Sequence, residues 1–321
     1  MTQVTENPET LHVPAFNPQQ DAVNLHELNL PEIFNPSKTN INHTALLILN
    51  QKIDIPNFSK LWSRYDLKVC ADGGANRLYD YSKSNRYIPD FIIGDLDSLR
   101  DEVKSYYASQ GVTIIKQSTQ YDSDLGKCLK FIECYYHNLE QQTSISYGKI
   151  NDYDGISILY GQLQQVKCTT QTQVLIIGGI NGRFDHTIQS INTMIRHYHN
   201  TESNHVTDKA NFQNLSMYYL TNVDLIAYLP PGHTQIILSD SDSSTVSFPY
   251  HGSNCGLLPL TSTSVKLTTM GLKWDVVDWV SEMGENVSSS NRVVGKDRII
   301  IKCEGSRGVI FSLELDYEKV L

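Results

Sequence analysis

The chain has 321 residues, 40% of them hydrophobic, with a formal net charge of −9. That length allows two domains of about 100–200 residues each. The acidic balance argues against a nucleic-acid partner, which calls for a basic footprint. No apolar run approaches the ~18 residues of a bilayer span, so no membrane partner is expected. Cys70, Cys128, Cys134, Cys168, Cys255 and Cys303 are scattered, with no C-x-x-C pair. They suit free thiols in a reducing compartment, and the expected location is cytoplasmic.

Residues 1–40 are polar, carry Pro8, Pro14, Pro18, Pro31 and Pro36, and lack a basic start followed by an apolar core. They read as a poorly ordered extension with a segment laid on the body, not as a targeting signal. The apolar run 45–50 predicts the first buried strand, and a helix follows around 57–65. A second strand, 67–71, ends in Asp72-Gly73-Gly74-Ala75-Asn76, with a helix opening near Ala75. A third, 91–93, stops at Gly94-Asp95-Leu96-Asp97-Ser98. Ser98 is expected to start a helix to about Ser109, Gly111 to end it, and 112–116 to form a fourth strand. Gln120…Asp124…Lys127 then leads into a helix with Leu125, Leu129, Ile132 and Tyr136 on one face.

Residues from about 138 to 172 read as a polar insertion. The run 174–177 is a further strand, ending in Gly178-Gly179-Ile180-Asn181-Gly182-Arg183-Phe184-Asp185-His186. The helix after it carries Phe184, Ile188, Ile191, Ile195 and Tyr198 on one face, and 200–211 is a second insertion. Strands alternating with helices imply a mostly parallel α/β/α sheet, here placed at 41–214. From 215 to 321 the pattern changes to short β-type runs (217–220, 225–229, 235–238, 245–248, 265–269, 298–302 and 309–315) separated by turn residues. That spacing predicts a C-terminal β-sandwich.

Asp95 and Asp97 lie two apart and can aim both carboxylates at one point beyond the strand end. Like charges so close call for a cation, and magnesium suits them. The competing reading is a helix start, with Ser98 and Asp101 forming a capping box; it explains Ser98 but leaves Asp95 unused. On that stretch alone the two readings balance. Ligands of open parallel sheets bind beyond the carboxyl ends of the strands. The Asp72, Asp95–Asp97, Asp124 and Arg183–Asp185 loops should therefore share one rim. Carboxylates joined by Arg183 and Lys127 suit a metal-bound polyphosphate. Gly73, Gly74, Gly179 and Gly182 would let backbone N–H groups approach phosphate. There is no P-loop signature and no dinucleotide fingerprint after the first strand. In the β-rich half, Gly271-Leu272-Lys273-Trp274-Asp275 and Ser288-Ser289-Ser290-Asn291-Arg292 stand out. The Trp could pack in a core or stack a flat cation, and the Ser-Asn run could be a turn.

Six segments in this order (71–80, 89–98, 120–129, 178–186, 271–274 and 288–292) resemble the eukaryotic thiamine pyrophosphokinase family. The resemblance covers roughly residues 44–320, broken by the two insertions and another near 239–252. It implies that Asp72, Asp95, Asp97 and Asp124 surround magnesium and the ATP phosphates, with Asp95, Asp97 and Asp124 as metal ligands. Gln120, Lys127, Arg183 and Asp185 would share the nucleotide site with Gly73 and Gly74. Trp274, Ser290 and Asn291 would bind thiamine. It also implies a homodimer, each active site formed between the α/β domain of one chain and the β-sandwich of the other. Tyr121, Gly126 and Arg292 depart from the family pattern.

The implied activity is transfer of a pyrophosphoryl group from ATP to thiamine, giving thiamine diphosphate and AMP. Asp72, Asp95, Asp97, Asp124, Lys127 and Arg183 would be the catalytic set. A catalytically inactive thiamine diphosphate sensor, or another magnesium-dependent nucleotide hydrolase or transferase, is the alternative.

Overall fold

The short apolar runs of the first two-thirds of the chain line up as parallel strands of one sheet. Their order is Leu215–Leu220, Thr172–Ile177, His43–Ile48, Leu67–Ala71, Phe91–Gly94 and Thr113–Lys116. In this computed structural model the described residues are 3–15, 25–36, 43–82, 86–163, 171–204, 215–239, 249–261 and 264–321. The chain parts into two units, Thr39–Asn222, and Met1–Lys38 with Val223–Leu321.

In the α/β unit, Ala45, Leu46, Leu47 and Ile48 are fully buried, as a strand covered on both faces requires. Helix Asp124–Glu140 lies against the His43–Ile48, Leu67–Ala71 and Phe91–Gly94 strands, burying Leu125, Leu129, Ile132 and Tyr136 as its spacing predicts. The sequence ends this unit at 214. The strand Leu215–Leu220 nevertheless pairs in parallel with Thr172–Ile177, so the units part after Asn222. The stretch read as an insertion holds helices Tyr147–Ile150 and Gly155–Leu163.

The other unit is strand-rich. Val309–Glu314 lies between Asp224–Leu229 and Asn254–Leu258, and Ser288–Arg292 pairs with the latter. In a second sheet, Arg298–Glu304 lies between Gly232–Ile237 and Val265–Met270, with Trp279–Ser281 and Leu25–Asn29 outermost. Burial alternates residue by residue along Arg298–Glu304, with Ile299, Ile301 and Cys303 inward. This is the one-faced core contact of a β-sandwich strand. The Ser-Asn run is a strand here, not a turn.

Three expectations need correction. The N-terminal region, read as poorly ordered with a segment laid on the body, does lay such segments but is more ordered than expected: Gln3–Glu6 pairs with Trp274–Val277, and Leu25–Asn29 with Gly232–Ile237. The helix expected at Ser98 begins at Asp101, and Ser98 caps nothing; its hydroxyl donates to Asp97 Oδ1 at 2.9 Å. The helix Phe184–Asn204 buries Ser190 and Met194, whereas Phe184 and Ile188 are exposed. The expected strand at 245–248 lies outside the described residues.

Candidate functional site

The carboxyl rim of the parallel sheet gathers Asp72, Asp95 and Asp97. One ligand atom from each lies within 4.8 Å of the others. Three local devices put them there. Asp72 follows its strand in the left-handed region, φ +41°, which a short acidic side chain tolerates. Leu96 takes φ +65° between Asp95 and Asp97, turning the chain sharply at that point. Gly94 ends the neighbouring strand, and a Cβ there would lie 2.7 Å from the Asp72 Cβ and 3.2 Å from the Asp124 carboxylate. Only a glycine lets both side chains close over the strand end.

Each carboxylate has a different environment. Asp72 is 4% exposed; its Oδ2 accepts the Ser98 N–H at 3.1 Å, and its Oδ1 is buried without a hydrogen-bond partner. Burial holds its carboxyl above the usual range, and the Asp124 charge adds to this against the opposing Ser98 N–H. Asp124 is also pushed up by burial, though the Lys127 ammonium at 2.9 Å works against that. Burial raises Asp95 too. It is outweighed by the Gln120 amide at 3.0 Å, the Asp97 N–H and the Lys127 charge, so Asp95 sits below its ordinary value. Lys127 is 2% exposed, a cation set beneath the acidic rim. An orphaned carboxylate oxygen beside two further carboxylates suits a hard, oxygen-seeking cation.

The rest of the expected set is spread along the rim. Gly74 is needed for packing, since a Cβ would fall 2.2 Å from the Ile48 carbonyl oxygen; at Gly73 it would strike the Asn50 amide at 2.3 Å. Arg183 and Asp185 form a two-pronged pair at 3.1 and 2.6 Å, both side chains more than half exposed. Among the described residues no polar contact ties them to the aspartate triplet. They follow the Thr172–Ile177 strand, three strand spacings or roughly 14 Å from the Phe91–Gly94 end. Asn50 and Gln51, which sequence reasoning missed, fill that interval. Asn50 Oδ1 accepts from Arg77 Nε at 2.8 Å, and the Gln51 amide donates to the Asn181 carbonyl. Their signal was two polar residues directly after an apolar strand.

Gly126, a departure from the family pattern, also has a steric reason. A Cβ there would lie 2.1 Å from the Asp122 carboxylate, which pairs with Lys130 at 2.9 Å.

In the strand-rich unit, Trp274 is 40% exposed. Asn291 is buried and locks that position. Its Oδ1 accepts the Trp274 N–H at 3.1 Å, and its Nδ2 donates to the Trp274 carbonyl at 2.9 Å. Ser290 beside it is exposed at φ +56°. Arg292, unassigned from sequence, has its guanidinium 3.7 Å from Glu9.

Comparison with known proteins gives the same division. A family model described as "Thiamin pyrophosphokinase, catalytic domain" matches residues 58–206, and one for the "vitamin B1 binding domain" matches residues 238–306. The thiamine pyrophosphokinase of Saccharomyces cerevisiae is 37% identical, over 98% of this chain and 97% of its own. An Arabidopsis thaliana thiamine pyrophosphokinase is 31% identical over 81% and 82%. The solved thiamin pyrophosphokinase of Candida albicans superposes with a TM-score of 0.80 at 33% identity, covering 98% of this chain and 99% of that one.

Proposed function

The chain belongs to the thiamine pyrophosphokinase family, and we propose that it transfers the pyrophosphoryl group of ATP to the hydroxyethyl hydroxyl of thiamine, releasing AMP and thiamine diphosphate. The observation that carries the mechanism is the Asp72–Asp95–Asp97 triplet with its unpartnered Asp72 oxygen. Asp95 and Asp97 would hold magnesium, with Asp72 as the third carboxylate in place of the expected Asp124, which pairs with Lys127 at 2.9 Å. When bound, magnesium neutralises phosphate charge as the leaving AMP oxygen develops it.

The protein's own part is mostly positioning and electrostatics. Gln120 orients Asp95, and Lys127 offsets the crowded negative charge. Arg183, on an exposed turn, exchanges Asp185 for phosphate oxygens when ATP arrives. One of Asp72 and Asp124 accepts the hydroxyl proton. Burial raises both carboxyls in the metal-free protein, which keeps either within the range of a proton acceptor. Trp274 stacks the flat, cationic thiamine rings, with Ser290 and Asn291 at its edge.

The protein acts as a homodimer, with the α/β unit of one chain and the strand-rich unit of its partner forming each active site. The exposed apolar Phe184 and Ile188 supply surface for such an association. The reaction takes place in the cytoplasm, a reading supported by Cys70, Cys128, Cys134, Cys255 and Cys303 being free thiols. Among the described residues no helix is long and apolar enough to cross a membrane.

Incubation with thiamine, ATP and Mg²⁺, followed by chromatography, tests the reaction. AMP and thiamine diphosphate should form in equal amounts and vanish with chelator. Production of ADP or free pyrophosphate alone would sink it.

A further inference from the structure

Residues 3–13 lie outside both matched family ranges, yet they pair with the Trp274 segment. The strand Gln3–Glu6 pairs antiparallel with Trp274–Val277, placing Glu6 directly opposite Trp274. Asn7 then makes contacts to the three residues around the tryptophan. Its N–H donates to the Lys273 carbonyl at 2.8 Å, and its carbonyl accepts Lys273 Nζ at 2.7 Å. Its side-chain Nδ2 donates to the Leu272 carbonyl at 2.8 Å and to Asp275 Oδ2 at 2.5 Å. Asp275 in turn accepts from the Thr269 hydroxyl at 2.7 Å and from the Gly271 and Leu272 N–H groups, so it shapes the turn that presents Trp274.

Further along, the Glu9 carboxylate lies 3.0 Å from Lys273 Nζ and 3.7 Å from the Arg292 guanidinium. It thereby ties the Trp274 segment to the strand carrying Ser290 and Asn291. Leu11 exchanges backbone hydrogen bonds with Val294 and Lys296, and Val13, 1% exposed, packs over Gly271. Gly271 has φ +103°, and a Cβ there would lie 3.0 Å from Val13.

We propose that this N-terminal strap is a positioning element of the thiamine site, with Asn7 and Glu9 fixing Trp274 and Asn291 in the geometry that binds a flat, cationic aromatic substrate. The inference rests on the reading of Trp274 as the thiamine platform. Two features of the strap suit the task. Asn7 bonds on both sides of Trp274, so the backbone that carries the ring cannot shift without breaking several contacts at once. Glu6 lies 3.4 Å from Lys273 Nζ and so offsets positive charge at the edge of the platform. Glu9 absorbs the Lys273 and Arg292 charges that would otherwise repel a cationic ligand. Asn7 and Glu9 are positioning residues; neither is required to touch the substrate.

The test compares Asn7→Ala, Asn7→Asp and Glu9→Gln with Trp274→Ala in the full-length enzyme, measuring KM for thiamine and for ATP separately. Asn7→Asp keeps the shape but loses the donor. Both Asn7 variants should raise the thiamine KM about fivefold and leave the ATP KM within about twofold. Glu9→Gln, the milder change, should raise the thiamine KM about twofold to threefold. It should also flatten the dependence of that KM on salt. Trp274→Ala should raise the thiamine KM about tenfold.

If Trp274→Ala raises the thiamine KM while the Asn7 and Glu9 variants leave it unchanged, the strap has no positioning role. If the Asn7 variants raise both KM values alike, their effect is general destabilisation and the proposal fails. If Trp274→Ala itself changes nothing, the platform assignment is what falls, and the strap loses its purpose with it.

Discussion

The acidic rim and the tryptophan platform are assembled in opposite ways. The rim is local in origin: Asp72 and Asp95 directly follow parallel strands, Asp97 lies two residues on, and the topology of the sheet brings the strand ends together. Asp72 and Asp95 need only a turn apiece and a glycine at position 94 to meet. The platform is distant in origin. Trp274 owes its setting to Asn291, seventeen residues on, and to Asn7, whose contacts span 265 and 268 residues. The rim also stores electrostatic cost, with Asp72 and Asp124 both raised by burial. In the platform the charges are paired off, Lys273 with Glu6 and Glu9. The rim leaves carboxylate charge crowded together, whereas near Trp274 Glu6 and Glu9 each have a cation beside them.

That contrast can be broken at the rim first. Asp95→Asn should lower kcat by about 10²–10³-fold with the fold intact. Thiamine binding, followed by quenching of tryptophan fluorescence, should be unaffected; parallel loss of both would mean that the two sites are not separable in this way. Gly94→Ala should cost about 10²-fold in turnover, because the added methyl drives Asp72 and Asp124 apart. A kcat close to wild type would show that the aspartate spacing is not critical.

The smallest effect sharpens the electrostatic half. Asp72 has a raised folded-state pKa, so its contribution to stability is present below the ordinary carboxylate range and is lost as pH rises through the raised value. Asp72→Asn removes that loss while its side-chain oxygen can still accept the Ser98 N–H. The metal-free variant should melt about 2–4 °C above the parent at pH 7, a gap that closes towards pH 4. An equal or lower melting temperature at pH 7 would contradict stored charge at this position.

The same contrast explains what the sequence discloses. The strand Leu67–Ala71 is legible residue for residue, because Val69, Cys70 and Ala71 form a buried apolar stretch that stops at the turn residues Asp72-Gly73-Gly74. The Asp72, Asp95 and Asp97 positions are legible because each follows such a run. Ser98 misleads: its spacing to Asp101 mimics a capping box, yet the Ser98 N–H is taken by Asp72 and its hydroxyl by Asp97. A tertiary contact outcompeted the local signal. In the helix Phe184–Asn204, spacing identified an apolar stripe but not which of its residues are covered; Tyr198 accepts the N–H of Met217 in the sheet at 3.3 Å, Ser190 and Met194 off the stripe are buried, and Phe184 stays exposed. Nothing in residues 3–13 marks them as partners of Trp274. Their polar composition carries no period, and the pairing is written in contacts hundreds of residues away.

The closing of that strand pair has a temporal consequence. Residues 39–222 contain every strand of the parallel sheet and can collapse while the rest of the chain is still being made. Gln3–Glu6 is made long before its mate Trp274–Val277 and must await it. At about 5–20 residues per second of synthesis, that wait is roughly 15–55 s. During it the segment is a solvent-facing edge without a mate, and Glu6 and Glu9 give it the charge that discourages sticking to other chains. The carboxylates that later hold Lys273 thus serve earlier as guards. A bulky fusion placed before Gln3 would disturb the assembly of the strand-rich unit while leaving the α/β unit to form on schedule.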